Sequence, residues 1–449
     1  MEPLSNISPS RRALLGRAAG VLMAGTALPL VAAGTSAARS GTDHSSSHRG
    51  GRAGHCLADG QAVTTTIGSD AWTSGVPSAP GPTVPRDQLR QLPGAAGGPQ
   101  MFVSNNPETF TGTGWLAQCG RTTANRGGAA HPLTGTFPVY LYHQNGTGRT
   151  AYVHVLVSNP GPSPVTVSAR GSVWTNGDKP LVQDPTQRAG TGPCYATSQD
   201  WATGNLRTYL PATVLAPGAM AQVAVVPLSS SIVDGLLEVT ATGGGVYVYT
   251  AATADGDTAT AINSTQHDET AAPGNTAPQT DTTYGREAGV YAASAWDTGV
   301  VGVDVPAAGS FLGLAVNTTQ RQVAALDQTV PAVAALSDSS QRSWGNYGMR
   351  YAVRLQLANP SQNARTVALT FGSNVTAATD VPGDTWNGAA TLTVDGGTPQ
   401  LTTVYVRPTA PRCPLGTFLL PPGGRTLVEL DFEVPGLITA GSQLLLESV

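Results

Sequence analysis

Three histidines, four cysteines and a few loop aromatics are the side chains here whose type and spacing could define a site. His131, His143 and His154 fall within a span of three predicted strands. Three neutral imidazoles meeting at one point would make a zinc or copper centre. The competing reading leaves them as separate surface histidines. His143 ends a strand beside Gln144-Asn145-Gly146, the start of a turn, and His154 falls on a strand's outer face. Trp174, Trp201, Trp344 and Tyr347 lie in or near turns, where an exposed ring offers a flat face to a sugar ring. Against that, tryptophan is largely buried on average, so these rings also suit plugs at the ends of a core or packing between domains.

Catalytic patterns are missing. The sequence holds no GxSxG elbow, HExxH, phosphate-binding loop or GxGxxG. Glycoside hydrolysis needs two carboxylates flanking one bond. Glu108, Asp178, Asp184, Asp200, Glu287 and Asp297 are available, but their spacing selects no pair. Asp255-Gly256-Asp257 lacks the ordered ligand series of a calcium loop. Cys56, Cys119, Cys194 and Cys413 show neither a CxxC nor zinc-site spacing. In an oxidising compartment four cysteines allow three connectivities, among which the sequence does not choose; Cys119–Cys194 is the favoured bridge because both lie in the first repeat unit, with Cys56–Cys413 then tying the N-terminal arm to the second domain.

That compartment is indicated by the N-terminus. Ser10-Arg11-Arg12-Ala13-Leu14-Leu15 is a twin-arginine pattern, followed by an apolar stretch and then small residues at 35–38 suited to cleavage. Residues 1–38 are therefore read as a signal peptide, and no stable membrane span remains after its removal. Charged residues make up 12% of the chain with a net charge of −4, and Lys179 is the single lysine. Nothing in that balance makes a basic footprint for nucleic acid.

The elements that would position these residues are strands. With 54 Gly and 34 Pro, turn formers punctuate short apolar runs throughout. One strand–turn–strand passage occurs twice: residues 151–172, AYVHVLVSNPGPSPVTVSARGS, and residues 351–373, YAVRLQLANPSQNARTVALTFGS. Asn159-Pro160 aligns with Asn359-Pro360, and Leu215-Ala-Pro-Gly218 is echoed by Leu420-Pro-Pro-Gly423. The repeat predicts two tandem antiparallel β-sandwich domains, at residues 89–253 and 284–449. A disordered Ser/Gly/Pro-rich arm at 39–88 and a linker at 254–283 complete the division. Val153, Val155 and Val157 match Val353, Leu355 and Leu357 as inward positions, which puts Tyr152, His154 and Leu156 outward on a face apolar enough to need cover. In the second half Glu429, Asp431 and Glu433 alternate with Val428, Leu430 and Phe432, and the acidic stripe reads as the wet side of an edge strand. Long helical periodicity is absent; the best helix candidate is short, near residues 320–326.

Several stretches also carry a resemblance. Leu89-Arg-Gln-Leu-Pro-Gly94, Phe102-Val-Ser-Asn-Asn-Pro-Glu108, Gly135-Thr-Phe-Pro-Val139, Tyr284-Gly-Arg-Glu-Ala-Gly289, Gly345-Asn-Tyr-Gly348 and Leu427-Val-Glu-Leu-Asp-Phe432 follow one another in order. Together they resemble an uncharacterised family of secreted bacterial proteins, best represented in cyanobacteria and catalogued as a domain of unknown function. The resemblance spans nearly all of the chain after the arm. It implies no activity, cofactor or catalytic residue, and the twin-arginine segment, the arm and the cysteines depart from it.

The resulting expectation is a mainly β, secreted, non-enzymatic protein of the cell envelope or extracellular matrix. It would act by binding or by building surface structure, with cell-surface polysaccharide as partner through Trp174, Trp201, Trp344 and Tyr347, and without a cofactor. Two other readings stand beside it: an extracellular enzyme acting on glycans, and a secreted protein holding metal at His131, His143 and His154.

Overall fold

Apolar–polar alternation broken by Gly, Pro and Asn gives strands almost throughout. The computed structural model describes residues 62–77, 83–120, 130–180, 190–264, 271–274, 287–319, 323, 325–373, 386–407, 410–436, 438 and 441–449. Arg11, Arg12, Cys56, Asp184 and much of the 254–283 linker lie outside them.

In the first half, eight strands make two facing layers: β1 (Met101–Ser104), β2 (Gly114–Gln118), β3 (Leu133–Asn145), β4 (Thr150–Ser158), β5 (Val165–Thr175), β6 (Arg207–Leu215), β7 (Met220–Ser229) and β8 (Ile232–Thr253). One layer runs β6–β5–β8–β3–β1 and the other β7–β4–β8–β2. Strand β8 serves both, because its 22 residues bend at Gly243-Gly244-Gly245. Up to Ala241 it pairs with β3, and from Tyr247 it pairs with β4. Gly243 takes φ +93°, which an L side chain resists, so the triglycine lets one strand turn from layer to layer. A sequence reading breaks this strand at the same glycines; the backbone continues through them.

The second half holds β9 (Ala288–Tyr291), β10 (Ala295–Asp304), β11 (Ser310–Val316), β12 (Arg350–Ala358), β13 (Arg365–Ser373), β14 (Trp386–Val394), β15 (Gln400–Val406), β16 (Arg412–Leu420), β17 (Arg425–Glu433) and β18 (Ser442–Ser448). One layer runs β10–β12–β17–β14–β15 and the other β11–β18–β13–β16. Phe371 of β13 reaches across to Trp386 of β14 (4.8 Å between ring centres) and Phe432 of β17 (6.0 Å). The inward residues of the duplicated passage, Val153, Val155 and Val157, and Val353, Leu355 and Leu357, are all buried in these two cores.

In both copies the duplicated passage carries the chain from one layer to the other, and one asparagine holds each crossing. Asn159 Nδ2 donates to Ser163 O (2.8 Å) and Leu215 O (2.9 Å), while its Oδ1 accepts from Gly161 N (2.9 Å). Asn359 Nδ2 donates to Asn363 O (2.8 Å) and Leu420 O (3.0 Å), and its Oδ1 accepts from Ser361 N (3.0 Å). Asn145, at the crossing from β3 to β4, does the same with Arg149 O, Leu228 O and Thr147 N. The Leu-x-Pro-Gly echoes are the far ends of two of these clasps. Gly218 and Gly423 close those turns at φ +74° and +67°.

Several expectations change. Residues of the arm are partly strand: Thr65–Ile67 pairs with β10 and Thr73–Ser74 with β11, so apolar second-half edges recruit a segment whose composition alone reads as disordered. Strand β1 pairs with both β3 and β9, joining strands of the two expected domains in one sheet. The Cys119–Cys194 bridge is absent. Cys119 lies in the first core against Val248 and Cys194 lies in the cluster of the second core, both as free thiols; Cys413 is free too. Strand β17 is internal, between β12 and β14. Its Asp431 is paired with Arg350, and its Glu429 with Arg354 at 3.6 Å, so the acidic stripe is half of a cross-strand charge ladder rather than an edge guard.

His154 and Leu156 are fully buried; the cover expected for that face is Trp115, Ala251 and Ala261 of α2 (Thr258–Ile262). The other helix, α1 (Pro193–Thr203), has a weak apolar stripe. It is delimited by Gly192, Pro193 at its first turn and Gly204 at φ +70°, a start-and-stop signal legible without periodicity. Among the described residues no helix is long and apolar enough to cross a membrane.

Each clasp satisfies the carbonyl of a buried leucine at the end of a remote strand. Asn159→Ala and Asn359→Ala should each lower the unfolding free energy by about 2–3 kcal/mol in urea titrations. Asn159→Asp, which keeps the acceptor and loses the donor, should cost as much. A loss below about 0.5 kcal/mol would remove the clasps from the account.

Candidate functional site

Two polar clusters are built around α1, one at the surface and one buried. In the one that reaches the surface, Arg170, Ser172 and Trp174 alternate along β5 away from the first core, Arg170 and Trp174 half-buried and Ser172 buried. Asp200, on the last turn of α1, gathers them: its Oδ2 accepts from Ser172 Oγ (2.7 Å) and Trp174 Nε1 (2.8 Å), and its Oδ1 from Asn205 Nδ2 (3.0 Å). The indole is thereby fixed and half-buried. The turn after β5 brings Lys179 Nζ to 4.6 Å from the indole centre, and the first residue of β6 brings Arg207 Cζ to 4.1 Å. Lys179 and Arg207 are exposed.

Behind α1, Tyr140 Oη donates to Asp234 Oδ2 at 3.0 Å. A methyl group placed on Gly436 would sit 2.5 Å from Asp234 Oδ2 and 2.9 Å from both Cys194 Sγ and Tyr140 Oη. Three polar atoms of three elements therefore converge under a glycine. Burial pushes the Asp234 carboxyl up to about 6, against hydrogen bonds from Thr197, Tyr140 and Cys194 that favour its charged form. Burial, followed by the charge on Asp234, pushes the Cys194 thiol well up. A thiol so held is not a nucleophile. The cluster, closed by Pro435 and Glu433, leaves room for about one water. It locks β3, β8 and α1 to the end of β17 and offers no room to a substrate.

The remaining candidates separate. Trp201 is buried and its Nε1 donates to Leu236 O (2.9 Å). Trp344 is buried too, in the loop 343–345 whose amides and Ser343 are gathered by the Glu287 carboxylate. Tyr347 is half-buried and stacks on Tyr140 at 6.0 Å. These four aromatics form no common exposed strip; the Trp174 ring borders two exposed cations. His143 is buried, its Nδ1 donating to Pro107 O (2.9 Å) and its Nε2 against Ser104 Oγ (2.7 Å). His154 is held by Gln222 and Thr253, and His131 by Gln100. Among the described residues no three His, Cys, Asp or Glu side chains are placed to hold a metal. Of the six carboxylates considered for glycoside hydrolysis, Asp200 and Glu287 are engaged as above, Asp178 accepts from Thr175 and Asp297 pairs with Arg354. Glu108 is buried and Asp184 lies outside the described residues.

Sequence reasoning passed over Asp234 and Tyr140. The signal was Asp234 itself, a carboxylate inside the apolar run Ile232-Val233-Asp234-Gly235-Leu236-Leu237.

Asp234 and His143 bias stability in opposite directions. Asp234 binds its proton more tightly folded (about 6) than unfolded (3.8), so its contribution is complete below about pH 4 and lost as pH rises through 6. Burial holds His143 near 4 against 6.5 unfolded; its contribution is complete above 6.5 and lost as pH falls through 4. Relative to the parent protein, Asp234→Asn should gain stability from pH 4 to 7, and His143→Gln should gain it from pH 7 to 4, each by about 3 kcal/mol. Unfolding free energies across that range check both slopes, and parallel profiles would contradict the assignment.

The family described as "Protein of unknown function (DUF3370)" matches residues 87–383, more than half of the chain. No curated protein matches the sequence. Among solved structures, the N-terminal CBM22-1-CBM22-2 tandem domain of Paenibacillus barcinonensis Xyn10C aligns at 12% identity over 79% of this chain and 91% of that one. Its TM-score is 0.13, a value that establishes no shared fold.

Proposed function

We propose, for a chain that belongs to the DUF3370 family of unknown function, a non-enzymatic binding role outside the cytoplasm, with cell-surface polysaccharide as the partner and Trp174 as the contact. The observation that carries this reading is the fixed indole of Trp174. It is anchored through Asp200 to a helix packed on both sandwiches, and it stays half-buried while Trp201 and Trp344 are buried. A rigid ring loses little entropy on binding, which is what a sugar platform requires. The Asp234 cluster, the other place where polar groups converge, works as an internal lock, and its raised thiol argues against covalent chemistry there. Export is supported by the order of Arg11-Arg12, the apolar stretch and the small residues at 35–38.

Retention of the purified full-length chain on insoluble cell-wall polysaccharide, with the supernatant assayed for sugar, tests the role. The parent protein should be retained through salt washes without releasing sugar. Trp174→Ala should lose about tenfold in retention, and Trp201→Phe should behave as the parent. Sugar release would replace the binding role with an enzymatic one. For export, Arg11→Lys combined with Arg12→Lys should leave the precursor inside the cell; processed protein outside the cell from that variant would overturn the twin-arginine assignment.

A further inference from the structure

The two cations at Trp174 specify more than a sugar platform. Lys179 is the single lysine of a chain whose net charge is −4, and it stands with Arg207 against the one indole. Among the described residues neither cation is paired with a carboxylate. Asp200 turns its oxygens to Trp174, Ser172 and Asn205, and Asp178 turns back onto Thr175. Several half-buried arginines are used differently: Arg170 pairs with Glu238, Arg342 with Asp327, Arg350 with Asp431 and Arg354 with Asp297. A planar guanidinium and a compact ammonium beside a flat ring supply a fork for an acid oxygen, a point charge and a stacking face.

We propose that Trp174, Lys179 and Arg207 form a binding site for an acidic glycan, one whose sugars carry a carboxylate or sulfate group. This rests on Trp174 being a glycan contact. The acid group sits between the ammonium and the guanidinium, and the sugar ring lies along the indole. A cation resting on a half-buried ring is held more weakly than one hydrogen-bonded to an anion, so the acid group draws Lys179 off the indole and frees a face for the sugar. Nucleic acid fits poorly, because its affinity comes from many phosphate contacts along a basic surface, and here two cations stand on an acidic protein.

The test is a set of binding titrations of the full chain against alginate, dextran sulfate, unmodified dextran and duplex DNA, repeated with Lys179→Gln, Arg207→Gln and Trp174→Ala. Alginate or dextran sulfate should bind and dextran should not; the better of the two polymers identifies the acid group. Each charge-removing variant should weaken acidic-glycan binding by about tenfold with melting temperatures kept near that of the parent. Dextran bound as well as the acidic polymers, with both charge variants at parent affinity, overturns this inference and leaves Trp174 as a neutral-sugar contact. Acidic polymers bound equally by Trp174→Ala overturn the glycan role of Trp174 itself. DNA bound as tightly as either polymer through the same three residues makes the site a general anion site and also overturns the inference.

Discussion

The structure depends on a single device, an asparagine side chain that ties a layer crossing to the end of a remote strand. A β-sandwich must carry its chain from one sheet to the other, and the crossing leaves backbone groups without ladder partners in a buried place. Asn145, Asn159 and Asn359 each resolve this identically: the amide donates to a carbonyl four residues on and to the carbonyl of a buried leucine, Leu228, Leu215 or Leu420, while the side-chain oxygen takes the amide two residues on. With the crossings pinned, strand register follows, and with register the inward set Val153, Val155, Val157 and Val353, Leu355, Leu357 is fixed on the core side. A one-residue slip would turn those side chains outward.

Register in turn places the clusters on either side of α1. The same alternation that sends Val173 into the first core sends Ser172 and Trp174 the other way, onto Asp200. On the neighbouring strand it sends Asp234 and Leu236 toward α1 and the second core. One helix therefore supplies the acid that anchors the surface indole and the thiol that completes the buried lock. The buried cluster concentrates polar cost where strands of both halves meet, and such groups are stabilising only when all are satisfied together. That makes the meeting of the two halves specific rather than merely apolar.

Much of this was legible in the sequence. The duplicated Asn-Pro and Leu-x-Pro-Gly signals stand at the crossings, and period-two runs stand where β4, β5, β12 and β13 form. The failures have physical causes. A triglycine reads as a stop because glycine weakens strands, yet it permits the bend of β8. Residues 65–67 and 73–74 are strands only because second-half edges recruit them, which no local window contains. Free Cys119 and Cys194 share half of the chain without sharing a core. Trp174 could be named from its place near a turn. Its selection over Trp201 and Trp344 required knowing that α1 and loop 343–345 are buried. Lys179 and Arg207 were invisible as partners because strand pairing, not sequence distance, joins them.

Trp174 is the residue on which the proposed binding role turns. The chain has seven tryptophans, so indole-selective nitrogen labelling gives seven resolvable signals, with that of Trp174 assigned from Trp174→Phe. On addition of an acidic oligosaccharide such as an alginate fragment, the Trp174 indole signal should shift and saturate while those of Trp201 and Trp344 hold still. An unmoved Trp174 signal at saturating ligand, or movement of the buried indoles in its place, would contradict the account.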